Sequence, residues 1–365
     1  MNYVHPIHQA AGHDGYFTAE DNSVFIKATT PQEIQFYQQV QEFDSPNEDD
    51  SESSYSGSKL IDWLPIFMGT LSESAITERQ IDQIYHVDID EAASKIPDYI
   101  VLQNLYHGFS KPSILDIKLG SLLTDPETTT PEKIERLRKV SESTTSGSLN
   151  LRICGMKVYT GQNANSYPVE EIFPNMLDTS IDKHTVDKDS YITFNKVYGR
   201  SLDVNNIAQG ILLYFKLYFG NHPHGKRIIF NLLTTFLRRF ELLYNCLLEY
   251  PIRIYSGSLL FIYESDLTKW TEDVIYDTET YETADPMINE SLVDEYGQDE
   301  DDIEELGDFA TTHGIIEKFV PLSSLHIIDF AHAKFVDEEL SYDENFIIGI
   351  ENLIKIFKSL IEQYK

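Results

Sequence analysis

Apolar residues recur at helical spacing in long stretches of the second half of the chain, and shorter apolar runs lie between turn residues throughout. The long stretches place Leu, Phe and Tyr along one side of a helix, a pattern typical of core contacts. They predict helices over residues 208–219, 228–250 and 345–364. The shorter runs predict strands over residues 63–68, 99–103, 112–120, 151–159, 191–197, 259–263 and 326–330. We therefore expect an α+β protein.

The order of these elements predicts two lobes. A hairpin over residues 17–27 and a helix beginning at Pro31 dominate the first part of the chain, together with short strands. A hinge is expected near residue 105, and the elements after it mix long helices with strands. We therefore expect an N-terminal lobe of residues 1–105 and a C-terminal lobe of residues 106–365.

One helix of the second lobe has a well-marked start. Thr130 is a suitable N-cap, Pro131 fits the first helical position, and Glu132 places an acid in the first turn. Four cations follow within seven residues, so the predicted helix over 130–142 is basic, in a chain whose formal net charge is -32.

The negative charge is concentrated in two segments. Residues 45–57 are acidic and rich in Ser, and the stretch from Asp266 to Asp308 contains 17 acidic residues and one Lys. Segments of like charge and low hydrophobicity bury too little surface to order themselves. We expect a mobile loop at about 45–57 and a disordered insertion at about 270–308. The insertion is either a solubilising loop or a docking surface for a partner.

Several classes of protein are not expected from this sequence. Cys154 and Cys246 have no C-x-x-C spacing, which indicates a reducing compartment and argues against disulfides or a zinc site. The N-terminus lacks the pattern of a secretory signal, and no apolar run reaches the about 18 residues that a membrane span needs. We therefore expect an intracellular, soluble protein.

Residues 112–120 carry the most specific chemistry. Asp116 and Lys118 lie two positions apart in an apolar run, so in a strand both side chains point to the same face. Such a pair can orient a hydroxyl and neutralise a phosphate, or it can be an inert ion pair on an edge strand. The residues of this segment alone leave both interpretations open.

The spacing Pro112-x-x-x-Asp116-x-Lys118-x-Gly120 resembles the signature of the inositol polyphosphate kinases. The flanking residues 104–111 are most similar to the fungal multikinase branch of that family. Six further segments resemble the family in the same order, at residues 11–15, 31–37, 141–147, 154–157, 258–264 and 328–332. The resemblance implies a two-lobed kinase-like fold, with ATP in a cleft between a small β-rich N-lobe and a larger mixed C-lobe.

The resemblance also implies a nucleotide site that both lobes share. Lys27 would contact the phosphates of ATP and pair with Glu33, although a lone lysine at a strand end is more often simply exposed. Asp329 would bind Mg²⁺, because a carboxylate at the end of an apolar strand needs a cation or a partner. Adenine would be read by main-chain groups of the hinge. The implied nucleotide-binding residues are Lys27, Glu33, Gln103, Leu105, Asp116, Ser258 and Asp329.

Three residues are implied in catalysis: Asp116, Lys118 and Asp329. Asp116 either holds the ribose hydroxyls or accepts the proton of the attacking inositol hydroxyl, and Lys118 contacts that hydroxyl or the transferred phosphoryl group. Ser258 would assist near the phosphates. Related enzymes have two serines at this point, whereas this chain has Gly257 before Ser258, so the first serine is absent.

The inositol phosphate substrate is a dense polyanion, which requires a cluster of cations. Lys133, Arg136 and Lys139 share one face of the basic helix, whereas Arg138 points away from it and is expected in solvent. Lys157 and His332 lie near this helix in the fold that the resemblance implies. The implied substrate-binding residues are Lys118, Lys133, Arg136, Lys139, Lys157 and His332.

The resemblance implies an ATP- and Mg²⁺-dependent kinase that converts inositol 1,4,5-trisphosphate to tetrakis- and pentakisphosphate through 6- and 3-kinase activity. A single-position trisphosphate 3-kinase and a hexakisphosphate kinase are alternatives within the family. A nuclear scaffold or transcription cofactor, with nuclear protein partners bound by the acidic insertion, is an alternative of another class. Direct DNA binding is not expected, because no basic stripe lies outside the substrate helix. We expect a monomer located in nucleus and cytoplasm.

Overall fold

The computed structural model describes residues 3–4, 16–45, 58–71, 98–161, 181–186, 189–276, 322–337 and 341–365. A first antiparallel sheet has the strand order β1-β2-β3-β5-β4, with every strand drawn from residues before the expected hinge. Its strands are β1 (Tyr3–Val4), β2 (Phe17–Ala19), β3 (Val24–Thr29), β4 (Phe67–Leu71) and β5 (Asp98–Gln103). The predicted hairpin of residues 17–27 is the pair β2–β3.

A second antiparallel sheet has the order β12-β11-β6-β7-β9-β8. The predicted strand of residues 259–263 does pair with the one predicted at 326–330, but its partners are residues 323–327, because β12 begins earlier and ends at Ile328. A two-stranded sheet joins β10 to β13. The strands are β6 (Pro112–Leu119), β7 (Leu151–Tyr159), β8 (Ile181–Val186), β9 (Asp189–Phe194), β10 (Ile252–Ile254), β11 (Ser258–Glu264), β12 (Ser323–Ile328) and β13 (Ala333–Phe335).

The two helix starts predicted at Pro31 and Pro131 are the observed ones. Thr130 caps helix α2 by accepting a hydrogen bond from the Lys133 N–H, and Thr30 caps α1 in the same way through Glu33. The described helices are α1 (Pro31–Asp44), α2 (Pro131–Glu142), α3 (Thr145–Leu149), α4 (Lys196–Ser201), α5 (Ile207–Phe219), α6 (Gly225–Leu247), α7 (Glu272–Tyr276) and α8 (Glu344–Glu362). None of them is long and apolar enough to cross a membrane.

The main core lies between the second sheet and the helices α5, α6 and α8. Phe357 of α8 is fully buried at its centre, and its ring centroid lies 4.9 Å from that of Phe240 and 6.3 Å from that of Phe261. Because β6 alternates, Leu115 and Ile117 face this core. Asp116 and Lys118 therefore face the opposite side of the sheet, toward the first sheet.

The strands predicted at residues 63–68 and 191–197 need correction. Residues 63–68 are not one strand: Leu60–Trp63 forms a 3₁₀ helix, and Pro65, which has no N–H, delays the strand until Phe67. Residues 191–197 are not all strand either, because the Asn195 side chain accepts from the Val197 N–H and caps α4.

The acidic segments fall largely outside the described residues, at 46–57 and 277–321. Residues 270–276, predicted as the start of a disordered insertion, are ordered: residues 272–276 form α7, and Trp270 and Ile275 are buried against the core. The division into lobes at residue 105 stays a prediction.

Phe357→Ala should lower the free energy of unfolding by about 3–5 kcal/mol, because it leaves a cavity between four phenylalanine rings. Urea denaturation measures this change. Phe43→Ala is the matched control, since that ring is 42% exposed and its loss should matter far less. Equal losses in the two variants would contradict this description of the core.

Candidate active site

The two sheets face one another across a cleft, and the most buried charges of that cleft link them. Lys27 Nζ on β3 lies 2.8 Å from Glu33 Oε1 on α1 and 3.6 Å from Asp329 Oδ1, which follows β12. Because the Lys27 side chain is only 12% exposed, the alternative of an exposed strand-end lysine is wrong. The predicted pairing of Lys27 with Glu33 is present.

Glu33 is buried, and both of its carboxylate oxygens accept hydrogen bonds. Its Oε1 accepts the Phe330 N–H at 3.1 Å, and its Oε2 accepts the Thr29 hydroxyl at 2.5 Å. Burial acts to lower the pKa of Lys27, but the carboxylates of Glu33 and Asp329 outweigh it and raise that pKa above its ordinary value. The ammonium group of Lys27 is therefore held charged at the cleft.

Asp329 differs from the other two members of this cluster. Its side chain is 46% exposed, and its φ of +70° is a left-handed conformation that is rare for residues other than Gly. A strained, partly exposed carboxylate beside a buried cation is a suitable ligand for a further cation at the mouth of the cleft.

Asp116 is 7% exposed, and its Oδ1 has no hydrogen-bond partner within the described residues. Burial and the nearby Asp329 carboxylate raise its pKa to about 6, although Lys118 acts in the opposite direction. The Ser258 hydroxyl, on the neighbouring strand β11, is likewise buried and makes no hydrogen bond of full geometry in the described part of the chain, although it lies close enough to the Asp116 carboxylate to lower its pKa. Buried polar groups of this kind are normally satisfied, so these two atoms indicate a place for a ligand or water.

The Lys118 ammonium group is held by a main-chain carbonyl of the turn between β10 and β11. Its Nζ donates to the Ser256 carbonyl at 2.5 Å, and Ser256 has a left-handed φ of +57°. The Ser256 hydroxyl in turn donates to the Leu123 carbonyl at 2.8 Å. This strained turn fixes the ammonium group beside Asp116.

The predicted hinge forms one wall of the cleft. The Gln103 N–H donates to the Ile66 carbonyl at 2.9 Å, which ties the hinge to the first sheet. Leu105 packs on a small apolar cluster of the second sheet that includes Ile114 and Leu260. Gln103 and Leu105 are therefore located where a flat apolar group such as adenine can bind beside the main chain.

Three of the predicted substrate-binding residues interact electrostatically. Burial lowers the pKa of His332, and the charges of Lys133 and Lys118 lower it further, so its neutral imidazole is favoured. His332 Nδ1 is buried and has no hydrogen-bond partner among the described residues. Lys118 and Lys133, with this neutral imidazole in range of both charges, are called here the second cation cluster.

The other predicted substrate residues are placed less favourably. Arg136 and Lys139 are exposed on α2, and Lys139 Nζ lies 3.3 Å from the Glu135 carboxylate. Lys157 lies opposite Ile114 with its ammonium 5.0 Å from the Tyr191 ring centroid, and burial lowers its pKa to about 8. The structure therefore does not group Lys139 or Lys157 with His332. Arg138 pairs with Glu135 and Glu142 on the solvent side, as expected.

Arg152 is a candidate that sequence reasoning missed. It lies opposite Lys118, is 8% exposed, and its charge lowers the pKa of Asp116. Strict alternation along β7 would point Arg152 away from the face that Lys157 occupies. Asp116 pairs with Gly155, but the next pair is Ile117 with Ile153, so β7 contains a bulge. This bulge puts Arg152 and Lys157 on the same face of the sheet. Gly155, which lies at the bulge, is its one signal in the sequence, because a glycine inside a strand often marks such an irregularity.

The donor set at Asp329 fits a magnesium ion. No cluster of three or more His, Cys, Asp or Glu residues with metal-binding geometry occurs in the described ranges. Mg²⁺ is commonly held by one or two carboxylates, with the remaining ligands from water and nucleotide phosphates. Asp329 supplies one carboxylate, and Asp116 is close enough for the Asp329 charge to raise its pKa.

A comparison with solved structures supports the fold. The crystal structure of the Saccharomyces cerevisiae inositol phosphate multikinase in complex with ADP and Mn²⁺ superposes with a TM-score of 0.62 and 34% sequence identity. The match covers 93% of this chain and 99% of that one, and it confirms the predicted α+β kinase-like fold.

Sequence comparisons give the same result. The chain is 37% identical to the inositol polyphosphate multikinase of S. cerevisiae, covering 98% of both chains. It is 24% identical to that of Schizosaccharomyces pombe, covering 97% of this chain and 96% of the relative. The family model described as inositol polyphosphate kinase matches residues 99–358. With this match, and with Asp116, Lys118 and Asp329 at one cleft, the chain belongs to the inositol polyphosphate kinase family.

Proposed function

We propose that the chain is an ATP- and Mg²⁺-dependent multikinase that converts inositol 1,4,5-trisphosphate to tetrakis- and pentakisphosphate by phosphorylating the 6- and 3-hydroxyls. The observation that supports this most strongly is the placement of the Lys27–Glu33–Asp329 cluster across the cleft from Asp116 and Lys118. Phosphoryl transfer depends mainly on positioning and on charge stabilisation, and this cleft offers both. The chain also matches two multikinases over nearly their whole length.

The nucleotide would bind on the side of the first sheet. Lys27, kept charged and oriented by Glu33, would contact the phosphates, while Asp329 would hold Mg²⁺. The metal, when bound, neutralises the charge on the phosphoryl oxygens. Adenine would lie on Leu105 beside the main chain of residues 103–105, and Ser258 would donate its buried hydroxyl near the phosphates.

The acceptor hydroxyl would bind between Asp116 and Lys118. With a pKa of about 6, the Asp116 carboxylate is ionised at neutral pH, so it can accept a hydrogen bond from a ribose hydroxyl or from the attacking inositol hydroxyl. Lys118, fixed by the Ser256 carbonyl, would stabilise the negative charge that develops on the transferred group.

The phosphates of the substrate would be bound by the second cation cluster. The charges of Lys118 and Lys133 both act on His332, and Arg152 adds a buried guanidinium on the same side of Asp116. Arg136 and Lys139, exposed farther along α2, would contribute only to long-range attraction of the polyanion. Lys157 has no role in this arrangement.

Asp329→Ala and Lys27→Ala should each lower kcat by at least about 100-fold, because they remove the metal ligand or the phosphate contact. Initial rates with Mg²⁺-ATP and inositol 1,4,5-trisphosphate measure the loss. Lys355→Ala, an exposed substitution on α8, serves as the control and should retain full activity. Turnover of either cleft variant within a few fold of wild type would refute the assigned roles.

Asp116 should make stability depend on pH. Its folded pKa of about 6 is raised above the ordinary 3.8, so its contribution to stability is present at low pH and is lost as the pH rises through about 6. The free energy of unfolding of wild type minus that of Asp116→Asn should therefore fall by about 2 kcal/mol between about pH 4.5 and pH 7. Urea titrations at these two pH values measure it. A difference that is flat or rises with pH would contradict the described environment of Asp116.

We further propose that the protein is a monomer of nucleus and cytoplasm whose acidic segment, residues 277–306, binds nuclear protein partners. The run of like charge in that segment supports the proposal. Cells carrying Asp329→Ala should lose phenotypes that require inositol phosphates, and cells carrying a deletion of 277–306 should lose only partner-dependent ones. If the catalytic variant supported every phenotype and the deletion none, the scaffold function would be the main one.

A further inference from the structure

The linker, defined here as residues 104–111, connects the last strand of the first sheet to β6 of the second. It contains little regular structure, yet it passes directly along the cleft. Main-chain segments without regular pairing need other partners for their N–H and carbonyl groups. Two buried polar side chains, one at each end of the linker, provide these partners.

Asn104 fixes the first end. It is 2% exposed, and its Nδ2 donates to the Asn22 carbonyl at 2.8 Å and to Asn22 Oδ1 at 3.0 Å. Its Oδ1 accepts the Tyr106 N–H at 3.1 Å, while its own N–H donates to the Ser23 carbonyl at 3.0 Å. One amide side chain thus joins the linker to the turn between β2 and β3.

Glu264, the last residue of β11, fixes the other end. It is 1% exposed, and its Oε2 accepts the Ser110 N–H at 2.7 Å, while its Oε1 accepts the Lys111 N–H at 2.9 Å. Oε1 also accepts the Asp266 N–H at 2.8 Å, and Lys269 Nζ lies 3.1 Å from Oε2. A buried carboxylate is stable only with such a complete set of donors.

The middle of the linker faces the cleft. Leu105, Tyr106 and Phe109 pack on the apolar cluster of Ile114, Leu260 and Ile262, on the same face of the sheet as Asp116. Burial raises the pKa of the Tyr106 phenol, and the Asp116 charge raises it further, so this ring lies near the catalytic carboxylate. The two ends of the linker are thus anchored away from the cleft, and its middle residues form one wall of the cleft.

We propose that Asn104 and Glu264 are positioning residues that act together as a clamp, setting the linker at the distance from β11 that a nucleotide base requires. The proposal rests on the proposed function, and it deepens it by assigning nucleotide affinity to two side chains that would not themselves touch the nucleotide. Preorganisation of a binding wall improves affinity by reducing the ordering that binding requires. Loosening either end of the linker should therefore weaken nucleotide binding and leave the binding of inositol phosphate at the second cation cluster unchanged.

Glu264→Gln and Asn104→Ala test the clamp. Gln has the shape of Glu but a single acceptor oxygen, so it cannot serve the Ser110, Lys111 and Asp266 N–H groups together. Each variant should raise the Kd for Mg²⁺-ADP, measured by calorimetry on the full chain, by about tenfold. The KM for inositol 1,4,5-trisphosphate should change less than twofold.

Two further variants separate positioning from general stability. Asn231→Ala removes another buried amide, whose Nδ2 donates to the Ile275 carbonyl at 3.0 Å and so holds α7 rather than the linker, and it should lower Tm without changing the Kd. Lys269 Nζ also donates to the Gly108 carbonyl of the linker at 3.2 Å. Lys269→Met therefore removes one linker contact and one partner of Glu264 but keeps the three N–H donors, and it should give a smaller rise in Kd than Glu264→Gln. This variant keeps the test open if Glu264→Gln fails to fold.

The clamp would be overturned if Asn104→Ala and folded Glu264→Gln lowered Tm as much as Asn231→Ala does but left the Kd for Mg²⁺-ADP unchanged. A tenfold rise in the Kd for Mg²⁺-ADP accompanied by an equal rise in the KM for inositol 1,4,5-trisphosphate would overturn it as well. Because Mg²⁺-ADP binding needs no acceptor, this result is independent of the acceptor specificity. A wild type that binds ADP but does not phosphorylate inositol trisphosphate would refute the proposed function alone.

Discussion

The ion pair between Lys27 and Glu33 is the interaction on which the cleft depends. Glu33 is almost completely buried, and a carboxylate in that position is tolerated only because Lys27, the Thr29 hydroxyl and the Phe330 N–H all bind it. These partners come from the first sheet and from the segment that follows the second one. Since that segment includes Asp329, the same bonds that neutralise Glu33 also place Asp329 against Lys27.

Residues close together in the sequence were the most predictable part of this site. Lys27 and Glu33 lie six positions apart, on a strand and in the first turn of the helix that follows it, and their pairing was implied by the family resemblance. Asp116 and Lys118 share a face because strands alternate. Asp329 was identified from an acid at the end of an apolar strand, and its strained φ became visible only in the structure.

The features that sequence reasoning missed depend on distant residues or on irregular backbone. Arg152 faces Lys118 only because β7 contains a bulge, and Lys157 moves out of the substrate cluster because its pair is Ile114. The strand predicted at residues 63–68 was interrupted by a 3₁₀ helix whose Leu60 and Trp63 are fully buried. Glu264 reaches Ser110 across 154 positions, a separation at which no local pattern indicates contact.

The chain carries a net charge of -32 and yet presents a cation-rich site, which explains how it can bind a polyanion. We infer that this one site serves more than one hydroxyl of the same inositol. Anion-exchange chromatography of the products that the purified chain forms from inositol 1,4,5-trisphosphate, Mg²⁺ and ATP is the decisive experiment. The expected product is a tetrakisphosphate that is consumed as a pentakisphosphate appears. A tetrakisphosphate that accumulates as the end product, or a pyrophosphate formed from the hexakisphosphate, would contradict it.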